Sequence, residues 1–359
     1  MDRLDPAQLA TEFDPRTVNR LLAIEQAANT QQDEVLRNRV GWEALNQLWP
    51  DEDDFIQNCF RIRTKKAGET PLLRYNEGQR ILINRIRAQQ KAGSPVRVII
   101  LKARQIGFST VCQALLSIRV YRKPHRRAIC IADERDKGEG LFRMASFFRE
   151  ALPWKPAFKR TASDRIETEA GSLYSVLTAG NISAPRSITA HEAHASEYGF
   201  WLNAEEVYDG LSNAMSDDPD TLFIIESTAN GMGNHFYEMW TDAEEGRNDW
   251  IPVFMPWWKH SAYTRILDAD VARKIEENLS NEELELRRRC ELTTGQIAWR
   301  RWAIRNKCRG SELTFHQEYP SWPEEAFLFS GTPVFDLRVL AELKEMCSEP
   351  KMRGDLVIS

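Results

Sequence analysis

No apolar run in this 359-residue chain approaches the roughly 20 residues that cross a bilayer. Its opening stretch, MDRLDPAQLATEFDP, is acidic and polar rather than basic and then apolar. Neither a membrane span nor a secretory signal is therefore expected. Cysteine is sparse and scattered. Cys59, Cys112, Cys130, Cys290, Cys308 and Cys347 form no C-x-x-C pair, which argues against a structural zinc site. Cys112 and Cys130 lie inside apolar segments and read as core thiols kept in a reducing compartment. Internal repeats and low-complexity tracts are missing too. So is any excess of positive charge: the formal net charge is −5, which excludes a globally basic nucleic-acid binder. The basic residues cluster instead at 85–104, 119–127 and 287–309. Such clusters are compatible with solvated faces, with intersubunit contacts or with local DNA contact. What remains, at 42% hydrophobic and 28% charged, is the composition of an ordinary globular protein with room for one large or two medium domains.

The most informative stretch is RVIILKARQIGFST, residues 97–110. Four consecutive apolar residues, Val98 to Leu101, suit a central strand of a parallel sheet covered on both faces. Lys102, Gly107, Ser109 and Thr110 follow, and then the helical pattern VCQALLSIRVY. A strand, a tight loop and a helix N-terminus make an anion site, because backbone N–H groups converge there and the helix dipole adds positive charge. Against G-x-x-x-x-G-K-[ST], Gly107 and Ser109 are in register, Phe108 takes the lysine position and Lys102 the first glycine position. An ordinary strand–turn–helix with a surface lysine has the same outline.

Around this unit the pattern alternates. Residues 1–60 read as polar helices, and 72–87 as a helix leading into the first strand. Residues 127–132 read as a strand, 139–152 as a helix, and 165–179 as a hairpin turning at 170–172. Strands at 186–196, 221–227 and 250–258 alternate with helices at 204–215 and 235–246. Repeated strand–helix units predict an α/β fold, a mostly parallel sheet covered by helices. Beyond residue 258 the chain turns charged and helical and then aromatic and turn-rich, as a small lid subdomain and a connector would be.

Phosphoryl transfer needs a phosphate cradle, a magnesium ligand, a carboxylate that orients water and a positive charge on the transition state. Ser109, the first hydroxyl of the helix, is placed for the metal, with Thr110 next to it; a plain N-cap would look the same. Glu192 and Glu197, in ITAHEAHASEYGFW, are the two candidate carboxylates near a strand end. The turn Ser227-Thr228-Ala229-Asn230-Gly231 after the strand at 221–227 could feel a phosphate through its hydroxyls and amides, or be an ordinary turn.

Taken together, these segments resemble the ATPase region of the large terminase subunit of tailed bacteriophages, over about residues 70 to 336. KARQIGFST is similar to the variant Walker A loop of that family, RSITAHEAHASEYGFW to its Walker B region, ESTANG to its coupling motif, and FHQEYP…EEAF…SG..VFD to the connector toward its nuclease domain. The resemblance implies a P-loop NTPase fold of the ASCE, RecA-like kind. Its parts would be an N-terminal helical segment (1–60), an ATPase core (61–258), a lid (259–330) and a connector (331–359). It implies ATP and Mg2+ bound by Gln79, Lys102, Ala103, Arg104, Gln105, Ile106, Gly107, Phe108, Ser109 and Thr110, with Gln79 reading adenine. Glu197 is preferred to Glu192 as the water-orienting carboxylate, with Ser196 standing where the family has aspartate, so that the metal falls to Ser109, Ser196 and Glu197. Lys102 and Arg104 would offset charge on the phosphates, and Arg186 is a candidate arginine finger acting across a subunit boundary, with Arg143 as another. Ser227, Thr228, Asn230 and Gly231 would couple hydrolysis to movement.

The implied partners are double-stranded DNA, the portal protein of the procapsid, the small terminase subunit and other copies in a ring, a pentamer when docked, the isolated chain being a monomer. The implied location is the host cytoplasm, with no membrane. Nuclease activity is not expected, because the family's nuclease domain lies beyond the connector. Two other readings stay open: a superfamily-2-like helicase or another DNA-stimulated ATPase, and a non-catalytic DNA or capsid adaptor with a decayed nucleotide site.

Overall fold

The computed structural model describes residues 4–64, 66, 68–162, 164–180, 189–328 and 346. An eight-stranded sheet runs through it: β1 (Val96–Lys102), β2 (Arg127–Ala132), β3 (Phe158–Thr161), β4 (Arg165–Thr168), β5 (Leu173–Thr178), β6 (Glu192–Ser196), β7 (Leu222–Ser227) and β8 (Ile251–Met255). Their spatial order is β3-β4-β5-β2-β6-β7-β1-β8. Every pair from β5 to β8 is parallel, and β3 and β4 add an antiparallel edge. The apolar run in β1 is explained by its neighbours. Val98 and Ile100 face one hydrophobic cluster, Ile99 and Leu101 the other, and all four are fully buried. Alternation is lost because both faces are covered.

Helices α1 (Pro6–Glu12), α2 (Pro15–Asn29), α3 (Glu34–Leu48), α4 (Glu52–Cys59) and α5 (Glu77–Lys91) precede the first strand. α6 (Phe108–Arg122) and α7 (Arg135–Ala151) follow β1 and β2, while α8 (Ala204–Ala214) and α9 (His235–Glu244) flank β7. α5, α6 and α7 pack with the N-terminal helices on the larger cluster, and α8 and α9 cover the opposite face. α6 is buried almost all round from Val111 to Tyr121, so it reads as an apolar rather than an amphipathic helix. α5 begins five residues later than the sequence pattern suggests. Asn76 caps it in a reciprocal capping box with Gln79, and the preceding Leu72 pairs with Arg61 in an extended bridge.

The lid-like region comprises α10 (Ala269–Glu276), α11 (Asn281–Cys290), α12 (Thr294–Asn306), α13 (Glu312–Glu318) and α14 (Pro323–Ala326). Its aromatic side chains stack toward the core: Trp257 on Trp299 at 5.3 Å and Tyr263 on Trp299 at 4.3 Å, with Phe315 and Tyr319 edge-on or tilted around them. Ile297, Trp299, Phe315 and Tyr319 belong to the same hydrophobic cluster as α6, so this region is fused to the core rather than hung from it. Cys59, Cys112, Cys130 and Cys308 are buried free thiols, as expected of Cys112 and Cys130; Cys347 lies outside the described residues. No described helix is long and apolar enough to cross a membrane.

Within α14, Glu325 is buried and accepts from the Ser321 backbone N–H. Burial is the largest influence on it and pushes its carboxyl from the ordinary 4.5 up to about 7, despite that hydrogen bond. A carboxyl raised in the folded state favours folding while protonated. Its contribution is therefore complete below about 4.5 and is lost as pH climbs to about 7. Native protein should lose up to about 3 kcal/mol of stability across that window relative to Glu325→Gln. Denaturant melts of both proteins at pH 4.5, 6 and 7.5 check this.

Candidate nucleotide site

β1, β6 and β7 are parallel and in register, so Lys102, Ser196 and Glu226 reach the same carboxyl edge of the sheet. Outside the carboxyl ends of parallel strands is where open α/β sheets bind ligands. The loop from Ala103 to Gly107 leaves β1 there and delivers the chain into α6. Gln105 (φ 57°) and Gly107 (φ 84°) are both left-handed, which folds the loop back over the helix start. Gly107 is the N-cap of α6 and offers no side chain, leaving the first-turn N–H groups without a side-chain acceptor. Ala103, Ile106 and Phe108 are buried and pin the loop from below. Phe108, in the position a lysine would hold, is thus a core anchor.

Lys102 supplies the charge from the other end of the loop. Its ammonium is buried, 2.9 Å from Glu197 Oε1 and 3.9 Å from Glu226 Oε2. Burial opposes that charge, and the two carboxylates outweigh burial and raise its pKa. Glu197 adopts a left-handed backbone (φ 53°, ψ 43°) directly after β6, unusual for a non-glycine residue. That kink turns its carboxylate back over the sheet edge, where Oε2 also lies 3.5 Å from the Thr228 backbone N–H. Its side chain is 28% exposed, so it reaches both Lys102 and solvent. Local strain of this kind concentrates at functional positions.

Glu226 is the residue that sequence reasoning misses. Fully buried, it accepts from Ser109 Oγ at 2.5 Å and from Ser196 Oγ at 3.2 Å through Oε1, which His194 Nε2 approaches to 3.2 Å. Burial alone would raise its carboxyl, but Lys102, His194 and Ser109 outweigh that and hold it at about 2. Both hydroxyls put forward as metal ligands, Ser109 and Ser196, therefore point at one carboxylate oxygen. Behind it the buried chain continues from His194 Nδ1 to Gln113 at 2.7 Å, and Tyr174 donates to Gln113. The one signal in the sequence is a lone carboxylate closing the apolar strand FIIES.

Several expected residues have different surroundings from one another. Gln79 is buried; its amide donates to Gly107 O at 2.7 Å and accepts from Asn76 N at 3.0 Å, so it braces the loop. Arg104 is largely exposed and turns to α13, pairing with Glu318 at 2.8 Å. Thr110 borders a groove of about 290 Å³ with Ile62, Arg63, Arg143, Met144 and Phe147. Ser227 Oγ accepts from Gly199 N at 3.0 Å, and Asn230 donates to Gly199 O at 3.0 Å, tying the turn after β7 to the segment that follows β6. Gly231 has φ 71° and ends that turn. Arg186 lies outside the described residues.

Glu192 opens β6 at the opposite edge. It is fully buried and pairs with Arg126 and, at 3.6 Å, with Arg119, within a set that includes Asp220 and Glu52. The cluster at 119–127 is therefore largely consumed in this network. In the cluster at 287–309, Arg287, Arg300 and Arg301 pair with Glu276, Glu282 and Glu283, while Arg305, Lys307 and Arg309 are exposed. Among the described residues no group of three or more His, Cys, Asp or Glu could hold a metal ion by itself.

No protein-family profile matches the chain, and no curated protein does. Solved structures do. The large terminase of bacteriophage HK97 superposes with a TM-score of 0.52 at 16% identity, covering 74% of this chain and 53% of that one. The chain thus spans about half the length of the HK97 protein. The ATPase domain of the large terminase from Thermus phage P74-26 gives 0.44 at 18% identity, over 71% of this chain and 99% of that one. A large terminase from a thermophilic bacteriophage, in complex with ADP, gives 0.37 at 12% identity, over 52% of this chain and 46% of that one. At these identities the likeness to the HK97 protein is one of fold alone: a mostly parallel sheet with helices on both sides.

A Cβ at Gly107 would lie 3.0 Å from Gln79 Nε2 in a left-handed backbone, whereas at Gly93, also left-handed, it would meet open space. Gly93→Ala should therefore lose about 1–2 kcal/mol from the backbone alone. Gly107→Ala should lose more and also loosen the loop. Denaturant unfolding of both variants, with amide exchange at residues 106–109, measures the difference.

Proposed function

We propose that this chain is the ATPase unit of a phage DNA-packaging motor of the large-terminase kind, hydrolysing ATP to drive double-stranded DNA into a procapsid. The observation that carries it is the convergence of Lys102, Ser109 and Glu197 around the open N-terminus of α6, on a fold shared with the HK97 large terminase. The relocated lysine, buried and charged, argues for a working phosphate site over a decayed one. Among the described residues after 258 the chain is helical, α10 to α14, with no further strand, which gives a two-lobed helicase reading no support.

The phosphates of ATP would lie over the loop from Lys102 to Thr110, against the first N–H groups of α6 and the Lys102 ammonium. Lys102 neutralises Glu197 at 2.9 Å; phosphate oxygens compete for that ammonium and free the carboxylate to orient a water for in-line attack. Gln79 and Asn76 keep the loop in shape through Gly107 and Ile106 rather than waiting as free donors. The groove beside Thr110 offers the nucleoside a partly apolar wall. The residues present fit a magnesium ion, since the buried Glu226 Oε2 has no hydrogen-bond partner and Ser109 Oγ is adjacent. When bound, that ion would neutralise charge on the bridging phosphate oxygens.

Coupling would run from Glu197 through Thr228 to the turn that Asn230 fastens to Gly199, and from Ala229 O to Gln317 on α13. Arg104 would stand near the terminal phosphate only by leaving Glu318, so its charge and the position of α13 are linked. Arg186 or Arg143 would serve a neighbouring copy in the ring. Arg305 at the end of α12, with Lys307 and Arg309 just after it and Lys307 over the Trp302 ring, is the exposed basic face of the third cluster that would meet DNA. Portal, small subunit and host-cytoplasmic location belong to the same reading.

Steady-state ATP hydrolysis with magnesium tests the chemistry. Lys102→Ala and Glu197→Gln should each lower turnover by about 10²–10⁴-fold, while Glu192→Gln, with fold confirmed by its melt, should stay within a few fold. Equal losses in Glu192→Gln and Glu197→Gln would refute the assignment. Reversing charge at Arg305, Lys307 and Arg309 should weaken DNA binding and flatten its salt dependence, read by fluorescence anisotropy between about 50 and 200 mM salt.

A further inference from the structure

Ser196 closes β6 where P-loop NTPases carry the aspartate that holds magnesium with the P-loop hydroxyl. A serine there leaves that hydroxyl without its carboxylate partner on β6. The adjacent strand supplies one. Ser196 and Glu226 are direct partners in the β6–β7 register, so Glu226 enters the same space from one strand over.

We propose that Glu226 is the magnesium carboxylate of this site, a displaced equivalent of the missing β6 aspartate, acting with Ser109 on the metal–nucleotide complex. The proposal rests on the nucleotide reading above. Three observations and one chemical argument support it. The Ser109 hydroxyl, first in α6, lies 2.5 Å from Glu226 Oε1. Ser196 donates to that same oxygen at 3.2 Å, so the residue in the aspartate's position now holds the replacement. Glu226 Oε2 is buried with no hydrogen-bond partner and lies 3.9 Å from the Lys102 ammonium, on the side where phosphates would enter. Finally, a serine hydroxyl and one carboxylate are too few to hold a cation unaided. They match magnesium, which keeps several waters and is shared between one or two carboxylates and the substrate's phosphates.

The competing account makes Glu226 a purely structural counter-ion of Lys102 and His194. That account requires no sensitivity to metal, so the two separate in a measurement of metal rather than of turnover. The probes are ADP and Mn2+, the latter followed by its electron paramagnetic resonance signal, and ADP affinity in EDTA by calorimetry. Native protein should bind ADP in EDTA and retain Mn2+ when ADP is present. Glu226→Gln should bind ADP in EDTA about as well, yet hold Mn2+ about 10–100-fold more weakly. Ser196→Asp combined with Glu226→Gln returns a carboxylate to β6 and should restore Mn2+ retention. That double variant also carries the test if Glu226→Gln alone does not fold.

Mn2+ affinity within about twofold of native in Glu226→Gln would overturn the proposal while leaving the nucleotide site intact. So would a folded double variant that binds ADP but does not retain Mn2+. Native protein that binds no ADP at any metal concentration would overturn the nucleotide reading itself, and this inference with it.

Discussion

One buried ammonium organises the carboxyl edge of the sheet. Lys102 is the last residue of β1, and it sits between carboxylates from two other strand ends, Glu197 after β6 and Glu226 in β7. A buried charge left without partners is destabilising by about 3–5 kcal/mol. The sheet therefore has to bring these three strand ends together, and the in-register parallel pairing of β1, β7 and β6 does so. The same requirement explains why Glu197 tolerates a left-handed backbone: it is the conformation that returns its carboxylate to Lys102. Structure and chemistry share one device here, since the ammonium that holds the site together is also the charge a phosphate would seek.

The far edge of the sheet solves a similar problem without any such opening. Arg119 is almost wholly buried, yet Glu52, Glu192 and Asp220 surround it, and Arg126 and Lys123 complete the set. Every charge there has a partner inside the chain, and the strand amino ends face it. Glu192 and Glu197 are five residues apart along β6 and the residue after it, roughly 16 Å at the usual rise. Two carboxylates that look alike in sequence thus serve opposite edges, one closed and structural, the other open to solvent.

Much of this was legible in the residues. The unbroken apolar run Val98 to Leu101 announced a strand covered on both faces, and the Gly107–Thr110 stretch announced a helix start. β3 was not legible, because FKRT is a short, mostly exposed edge strand with no apolar alternation to betray it. Gln79 and Asn76 were legible as a capping box only once the helix start was known; apolar Leu72 and Leu73 extend the helical pattern although they sit in an extended segment. The basic run at 119–127 looked like a surface because its acidic partners come from residues 52, 192 and 220. Glu226 was hidden for the same reason: its partners are 30 and 117 residues away, and no local pattern distinguishes it from a solvent-facing strand end.

Helix α13 joins the loop after β1 to the turn after β7. Gln317 donates to the Ala229 carbonyl in the turn after β7, and its neighbour Glu318 takes both the side chain of Arg104 and, through its carbonyl, the Arg104 N–H. Tyr263, stacked on Trp299 beneath the same region, donates to the Arg104 carbonyl. Two adjacent residues of one helix therefore grip the loop after β1 and the turn after β7 at once. A change in either segment is felt by α13, and α13 cannot yield locally, because Phe315 is buried in the aromatic stack that joins it to α12. Densely packed elements move as bodies rather than deform continuously. Arg104 and the Ala229 turn are thereby tied to α12 and α13 in one packed unit, which also carries the exposed basic residues at the end of α12. Arg104, the Ala229 turn and α12 are thus joined through one buried cluster of aromatic rings rather than through a chain of flexible contacts.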